Sequence, residues 1–165
     1  MPRLGRPSAS IANTSAHIAV LATRWNAAVV DKLLAGALET LERAGATHEL
    51  FRVPGSFELP QIARRVARTG RFDAIVPLGC VIRGDTPHFE YVARAATDGL
   101  ARLSLEQDVP VVFGVLTCDT VAQALDRAGG AEGNKGADAA TAALELIALA
   151  QSIDARSAKT SRRTR

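Results

Sequence analysis

Large aromatic side chains are scarce in this chain of 165 residues, where Phe, Trp and Tyr together make up 4%. The hydrophobic content is still 47%, so we expect a core of small aliphatic side chains that pack closely. No run approaches the about 20 apolar residues of a membrane-spanning helix. The two cysteines, Cys80 and Cys118, lack a CxxC or His/Cys spacing. This argues against a metal site and favours reduced thiols in a cytoplasmic protein.

The chain also lacks an excess of basic side chains outside its last residues, although its formal net charge is +3. Residues 155–165 carry five of the twenty basic side chains and no acid, so residues 1–154 have fifteen basic against seventeen acidic side chains, or −2. This balance argues against a nucleic-acid-binding protein. We expect one domain over 16–154, a flexible N-terminal arm over 1–15 and a disordered basic tail over 155–165.

Hydrophobic periodicity divides the chain into four units of a strand followed by a helix. Apolar runs predict strands at 17–22, 47–53, 74–78 and 111–116. Helical patterns follow at about 26–44, 57–68, 87–103 and 121–128, and after a glycine-rich linker at 129–136 a last helix is predicted at about 137–153. This alternation predicts an α/β fold, in which a four-stranded parallel sheet carries helices on both faces.

Polar and aromatic residues collect at the carboxyl ends of the predicted strands. The turn after the third strand contains Arg83, Asp85 and His88. Thr86 is predicted as the N-cap of the next helix and Pro87 as its first residue. Open α/β sheets bind ligands at this edge and helix termini bind anions, so the turn is a candidate site. Neither GxGxxG nor GxxxxGK[ST] occurs there, which argues against dinucleotide and P-loop sites.

Five blocks of the sequence resemble the 6,7-dimethyl-8-ribityllumazine synthase family, in the family's order: 54–60, 79–91, 113–120, 123–128 and 133–137. The run Arg-Gly-Asp-Thr-Pro-His-Phe at 83–89 is far longer than a chance motif. The resemblance extends over residues 17–153 and implies a flavodoxin-like three-layer αβα sandwich. It also implies a transferase of riboflavin biosynthesis. This enzyme condenses 5-amino-6-(D-ribitylamino)uracil with 3,4-dihydroxy-2-butanone 4-phosphate and gives 6,7-dimethyl-8-ribityllumazine, water and phosphate.

The resemblance assigns one group of residues to the ribitylaminouracil substrate. The flat ring would stack on Trp25, where the family more often has Phe. Glu58 would accept hydrogen bonds from the ribityl hydroxyls, and Ser56 stands where Ala is commoner. The backbone at 80–82 would pair with the uracil edge. The full group is Trp25, Ser56, Phe57, Glu58, Cys80, Val81, Ile82 and Phe113.

A second group is assigned to the butanone phosphate. Backbone N–H groups of Asp85 and Thr86 would bind the phosphate at a helix terminus. Arg127 would clamp the phosphate bound to a neighbouring subunit, and Lys135 would add positive charge. His88 is the expected catalytic proton carrier, because the positive end of the helix disfavours an imidazolium and leaves a neutral base. No metal or organic cofactor is expected.

Simpler roles stay open for several of these residues. Trp25 could fill the core, Glu58 could merely complement a helix dipole, and Arg127 and Lys135 could be solvated cations. Cys80 could be a thiolate nucleophile activated by a histidine. At the level of function, the alternatives are a flavin- or pterin-binding module without turnover and a shell-forming structural protein.

The last predicted helix is apolar nearly all round, so it needs cover on two sides, one of them another subunit. The resemblance implies a homo-oligomer as well. The expected form is a pentamer, alone or as part of a sixty-subunit icosahedral shell. Its expected partners are the two small-molecule substrates, with neither nucleic acid nor membrane.

Overall fold

A parallel sheet of four strands forms the middle layer of the protein, whose computed structural model describes residues 14–163. The elements in chain order are β1 (His17–Thr23), α1 (Ala27–Arg43), β2 (Thr47–Val53), α2 (Leu59–Ala67), β3 (Ala74–Ile82), α3 (His88–Glu106), β4 (Gly114–Cys118), α4 (Val121–Asp126), β5 (Ala128–Gly130), β6 (Gly133–Asn134) and α5 (Lys135–Arg163). The strand order is β2-β1-β3-β4, and all three pairings are parallel.

Helices cover both faces of this sheet. α1, α4 and α5 pack on one face, and α2 and α3 pack on the other. The predicted three-layer αβα sandwich is therefore confirmed. β1 and β3 are buried on both faces, which explains why their sequences are continuously apolar. Both core clusters consist mainly of Ala, Val and Leu, as the scarcity of aromatic residues predicts.

The fourth strand lies further along the chain than the predicted 111–116, and Pro77 of β3 explains the shift. The backbone N–H of Ile75 points toward the segment that leads into β4 and bonds there to the carbonyl of Pro110 at 2.8 Å. Pro77 faces the same way, since strand N–H groups alternate in direction, but it has no N–H to donate. Continuous pairing with β3 therefore starts only at Gly114.

Residues 129–136 belong to a small hairpin and the start of a helix, and not to a linker. The hairpin of β5 and β6 ends at Asn134. Its Oδ1 accepts the N–H groups of Gly136 at 2.8 Å and Ala137 at 3.1 Å, so it caps α5, which starts two residues earlier than predicted. Its Nδ2 donates to the Lys32 carbonyl of α1 at 2.8 Å. Asn134 thus anchors α5 to α1.

The last helix also ends later than predicted. α5 continues to Arg163, so the described part of the tail expected to be disordered, 155–163, is helical. No Gly or Pro follows Gly136 to end the helix, whereas the expectation of disorder was based on charge. Most of the predicted arm at 1–15 lies outside the described residues. Within 14–163, none of the helices combines the length and apolarity needed to cross a membrane.

The close packing of α5 on α1 makes Gly136→Ala a strongly destabilising change. A Cβ at this position would lie 2.6 Å from the carbonyl carbon and 2.9 Å from the Cα of Leu33, which are backbone atoms of α1. We expect the free energy of unfolding to fall by about 3 kcal/mol, measured as a lower urea midpoint. Gly84→Ala is the control, because a Cβ there would meet nothing within 4 Å. Equal losses in both variants would contradict the packing argument.

Candidate active site

The carboxyl ends of β1, β2 and β3 border a cleft of about 610 Å³. Parallel pairing brings these ends to one edge of the sheet. Nine of the thirteen predicted site residues line the cleft: Trp25, Ser56, Phe57, Glu58, Cys80, Val81, Ile82, Thr86 and His88. The structure adds five residues that were not predicted: Asn26, Gly55, Gly84, Phe89 and Val92.

Asn26 shapes the turn between β1 and α1. Its φ of 58° lies in the left-handed region, which asparagine tolerates better than most residues. Its side-chain Nδ2 donates to the carbonyl of Cys80 at 2.8 Å. The end of β1 is thereby tied to β3 across the floor of the cleft. An asparagine between an apolar strand and a helix was the sequence signal for such a turn.

Trp25 lies at the mouth of the cleft and is 74% exposed, so it does not fill the core. The backbone N–H of Trp25 bonds to the carbonyl of Pro54 at 3.2 Å. Its ring packs beside Gly55, where a Cβ would lie 3.2 Å from the ring Cδ1 and 3.1 Å from Glu58 Oε2. Glycine at this position lets the ring and the carboxylate approach the same stretch of backbone. An exposed indole beside a carboxylate suits a flat ring with polar substituents.

Residues 56–58 form a single 3-10 turn, so α2 starts later than the predicted helix at 57–68. Ser56 is buried against β3, where a Cβ on Gly79 would lie 2.6 Å from its Oγ. Phe57 is 60% exposed and faces the cleft. Glu58 precedes α2, but its side chain makes no capping hydrogen bond. Glu58 therefore does not cap α2, although its position still complements the helix dipole.

Cys80 is a poor candidate for a nucleophile. Burial, and to a smaller extent the neighbouring Cys118, raises the pKa of its thiol to about 12. Burial also raises the pKa of Cys118. Both thiols are therefore protonated at neutral pH, whereas a catalytic cysteine needs a lowered pKa. The alternative of Cys80 as a thiolate nucleophile is therefore not supported.

The turn between β3 and α3 contributes Thr86 and His88 to the cleft, while Asp85 does not line it. α3 begins at His88, and Pro87 rather than Thr86 occupies the N-cap position. The reason is that the N–H of Glu90 bonds to the Pro87 carbonyl at 3.0 Å, which closes the first turn on the proline. The cleft thus includes the positive end of a 19-residue helix, with a histidine as its first residue.

Arg83 fixes this turn in place. Its Nε donates to Asp119 at 2.7 Å and its Nη1 to Glu90 at 3.4 Å. Its guanidinium carbon lies 4.5 Å from the ring centroid of Phe89, and its backbone N–H bonds to the Cys118 carbonyl at 2.9 Å. These contacts join the ends of β3 and β4 to the first turn of α3.

The remaining predicted site residues do not reach the cleft of their own chain. Phe113 and Lys135 line a second cleft of about 370 Å³ between β4 and α5. Lys135 pairs there with Asp138 at 2.6 Å. Arg127 follows α4 and donates to the Gln123 carbonyl at 3.0 Å. Within one chain, the side chains of Phe113, Arg127 and Lys135 therefore lie apart from the cleft that contains Trp25 and His88.

The fold and the cleft place this protein in a class of α/β proteins whose site can bind a flat polar ring next to an anion. Among the described residues, no group of three or more His, Cys, Asp or Glu could hold a metal ion. Residues 15–151 match the family model described as 6,7-dimethyl-8-ribityllumazine synthase. A protein of that name from Anaeromyxobacter sp. (strain Fw109-5) is 52% identical over 139 residues, which are 82% of this chain and 85% of the relative. The chain belongs to the 6,7-dimethyl-8-ribityllumazine synthase family, which confirms the resemblance.

The protonated state of Cys80 predicts that its sulfur is dispensable and unreactive. Cys80→Ala should retain activity within a few-fold of the unchanged protein, and native thiols should react slowly with iodoacetamide until the chain is unfolded. Stability should fall as the pH rises from about 9, where the thiol ionises in the unfolded chain, toward about 12 in the folded one. Rapid native alkylation of Cys80 with loss of turnover would contradict this assignment.

Proposed function

We propose that this protein condenses 5-amino-6-(D-ribitylamino)uracil with 3,4-dihydroxy-2-butanone 4-phosphate to 6,7-dimethyl-8-ribityllumazine. The observation that carries the proposal is that Trp25, Glu58, Thr86 and His88 line one cleft. Family membership supplies the reaction, and the cleft supplies a place for each reactant. The product is the penultimate compound of riboflavin biosynthesis.

The pyrimidine substrate would occupy the side of the cleft formed by β1 and β3. Its ring stacks on Trp25, the polar edge pairs with backbone groups at 80–82, and the ribityl hydroxyls donate to Glu58. Ser56 and Phe57 flank the same side. This arrangement uses the exposed indole face of Trp25 and the carboxylate of Glu58, which makes no capping hydrogen bond to a helix.

The phosphate of the second substrate would lie at the start of α3, against the backbone of Asp85 and Thr86. The amino group attacks the ketone, water leaves to give an imine, phosphate is eliminated, and ring closure releases a second water. We assign the proton transfers to His88, since it lines the same cleft as the first residue of α3. Holding both reactants in one cleft supplies much of the acceleration.

Phe113, Arg127 and Lys135 would complete the site from a neighbouring subunit, because they lie away from the cleft of their own chain. The outer face of α5 supports such an assembly, since Leu149 is 57% and Ile153 is 54% exposed. The proposed assembly is a homopentamer, alone or within a sixty-subunit icosahedral shell. With both cysteines free, the proposed location is the cytoplasm.

A two-substrate assay tests this function. Purified protein is mixed with both substrates, and phosphate release is followed together with the absorbance of the lumazine. We expect both signals to rise in equal amounts. Binding of the pyrimidine or product without phosphate release would instead identify a flavin- or pterin-binding module that does not turn over its ligand.

Replacing the proton carrier tests its role. His88→Ala should lower kcat by about 100-fold or more with little change in KM, because proton transfer is lost while the stacking and ribityl contacts remain. Steady-state kinetics on both substrates measure the split. His48→Ala is the matched control, since His48 is exposed on β2 and does not line the cleft. A raised KM with normal kcat would make His88 a binding residue.

Mixed assemblies test the shared site. Arg127→Ala and His88→Ala should each be poorly active alone, because every site lacks one group. Chains of both kinds refolded or expressed together should recover activity, since some interfaces then pair an intact Arg127 with an intact His88. Recovery must exceed the sum of the separate variants at equal total protein. If mass measurements prove mixing and activity stays low, Arg127 acts within its own chain.

A further inference from the structure

A third concave site, a groove of about 930 Å³, lies between the outer surfaces of α2 and α3. It shares no lining residue with the active-site cleft. A Cβ on Gly99 of α3 would lie 2.6 Å from Cγ of Pro60 of α2, so these two helices are in close contact beside the groove. The groove therefore has a fixed width at this point. Its volume falls within the range of small-molecule sites.

The groove is strongly cationic. Its lining includes Arg64 and Arg65 of α2, Arg68 directly after α2 and Arg102 of α3, and Glu106 is its only acidic residue. Glu106 already pairs with Arg102 at 2.9 Å. Gln61 adds a neutral donor, whereas the Thr69 hydroxyl already donates to the Val66 carbonyl at 2.7 Å. Four guanidinium groups against one carboxylate leave a local charge of +3 in a body that is otherwise slightly acidic.

Neither Arg64, Arg65 nor Arg68 has a carboxylate partner among the described residues. Arg64 and Arg68 are spaced i, i+4, so their like charges repel and destabilise the helix. Arg64 and Arg65 lie in the last turn of α2, where the helix dipole offsets part of this cost. The fourth arginine, Arg102, faces the groove from α3 and already has a partner in Glu106. A ligand that brings several negative charges would neutralise the whole cluster.

We propose that this groove binds a chain of phosphate groups, either an inorganic oligophosphate or the triphosphate of a nucleotide. Guanidinium groups bind phosphate oxygens through paired hydrogen bonds, and three uncompensated arginines match three or more charges better than one phosphate ion. The proposal goes beyond the proposed condensation, because neither substrate of that reaction carries more than one phosphate.

Calorimetric titration of the full-length assembly with sodium tripolyphosphate tests the proposal. We expect saturable binding whose affinity falls with added salt. In the double variant Arg64→Gln/Arg65→Gln the affinity should be lower by about tenfold or more. Arg94→Gln is the matched control, an exposed arginine of α3 outside the groove, and should bind like the unchanged protein. Arg127→Ala should also bind normally, because it removes only the proposed phosphate contact of the active site. Inorganic phosphate should bind at least about tenfold more weakly than tripolyphosphate.

A parallel titration with ATP separates the two sources: affinity equal to or above that of tripolyphosphate identifies a nucleotide, and lower affinity an inorganic oligophosphate. Four results would overturn the proposal. The groove variant could bind tripolyphosphate as tightly as the unchanged protein, or Arg127→Ala alone could abolish binding. A short single-stranded RNA could bind more tightly than either phosphate ligand. A groove variant whose oligomer mass changes would also overturn it, since the arginines then belong to an interface between chains.

Discussion

The hydrogen bond from the Asn26 side chain to the Cys80 carbonyl holds the candidate active site together. Parallel pairing brings the ends of β1, β2 and β3 to one edge of the sheet, but pairing alone does not set where the following turns point. The left-handed turn at Asn26 leads the chain out of β1 and leaves Trp25 exposed beside Gly55. The bond at 2.8 Å then ties this turn to β3, whose next residues supply Val81, Ile82 and the start of α3. A stacking surface and a helix terminus therefore meet in one cleft.

The arrangement of charge supports the proposal that one chain forms only part of the site. The cleft holds Glu58 and His88 and includes the positive end of α3, whereas Arg127 and Lys135 lie elsewhere on the same chain. A phosphate at α3 would thus have a helix terminus but no side-chain cation of its own chain lining the cleft. A second copy that supplies Arg127 would correct this shortage. The exposed apolar side chains of α5 give such a copy a surface to cover.

Much of the fold could be predicted from local patterns in the sequence, whereas most residues of the cleft were predicted from the resemblance to the family. The helical spacing of apolar residues fixed α1, and the apolar run at 74–78 identified β3. The shift of β4 could not be seen, since it depends on Pro77 in a neighbouring strand. The start of α5 depends on a cap by Asn134, which the glycine-rich composition of 129–136 concealed. The separation of Phe113, Arg127 and Lys135 from the cleft depends on how β4, α4 and α5 pack, which no local pattern describes.

The central claim is that the pyrimidine substrate binds against Trp25, and the single tryptophan of the chain makes this directly measurable. Intrinsic fluorescence is titrated with 5-amino-6-(D-ribitylamino)uracil, and Trp25→Phe, which keeps an aromatic face, confirms that the signal comes from this residue. The account predicts saturable quenching at the concentrations that saturate turnover. Unchanged tryptophan emission at those concentrations would place the pyrimidine elsewhere and contradict the account.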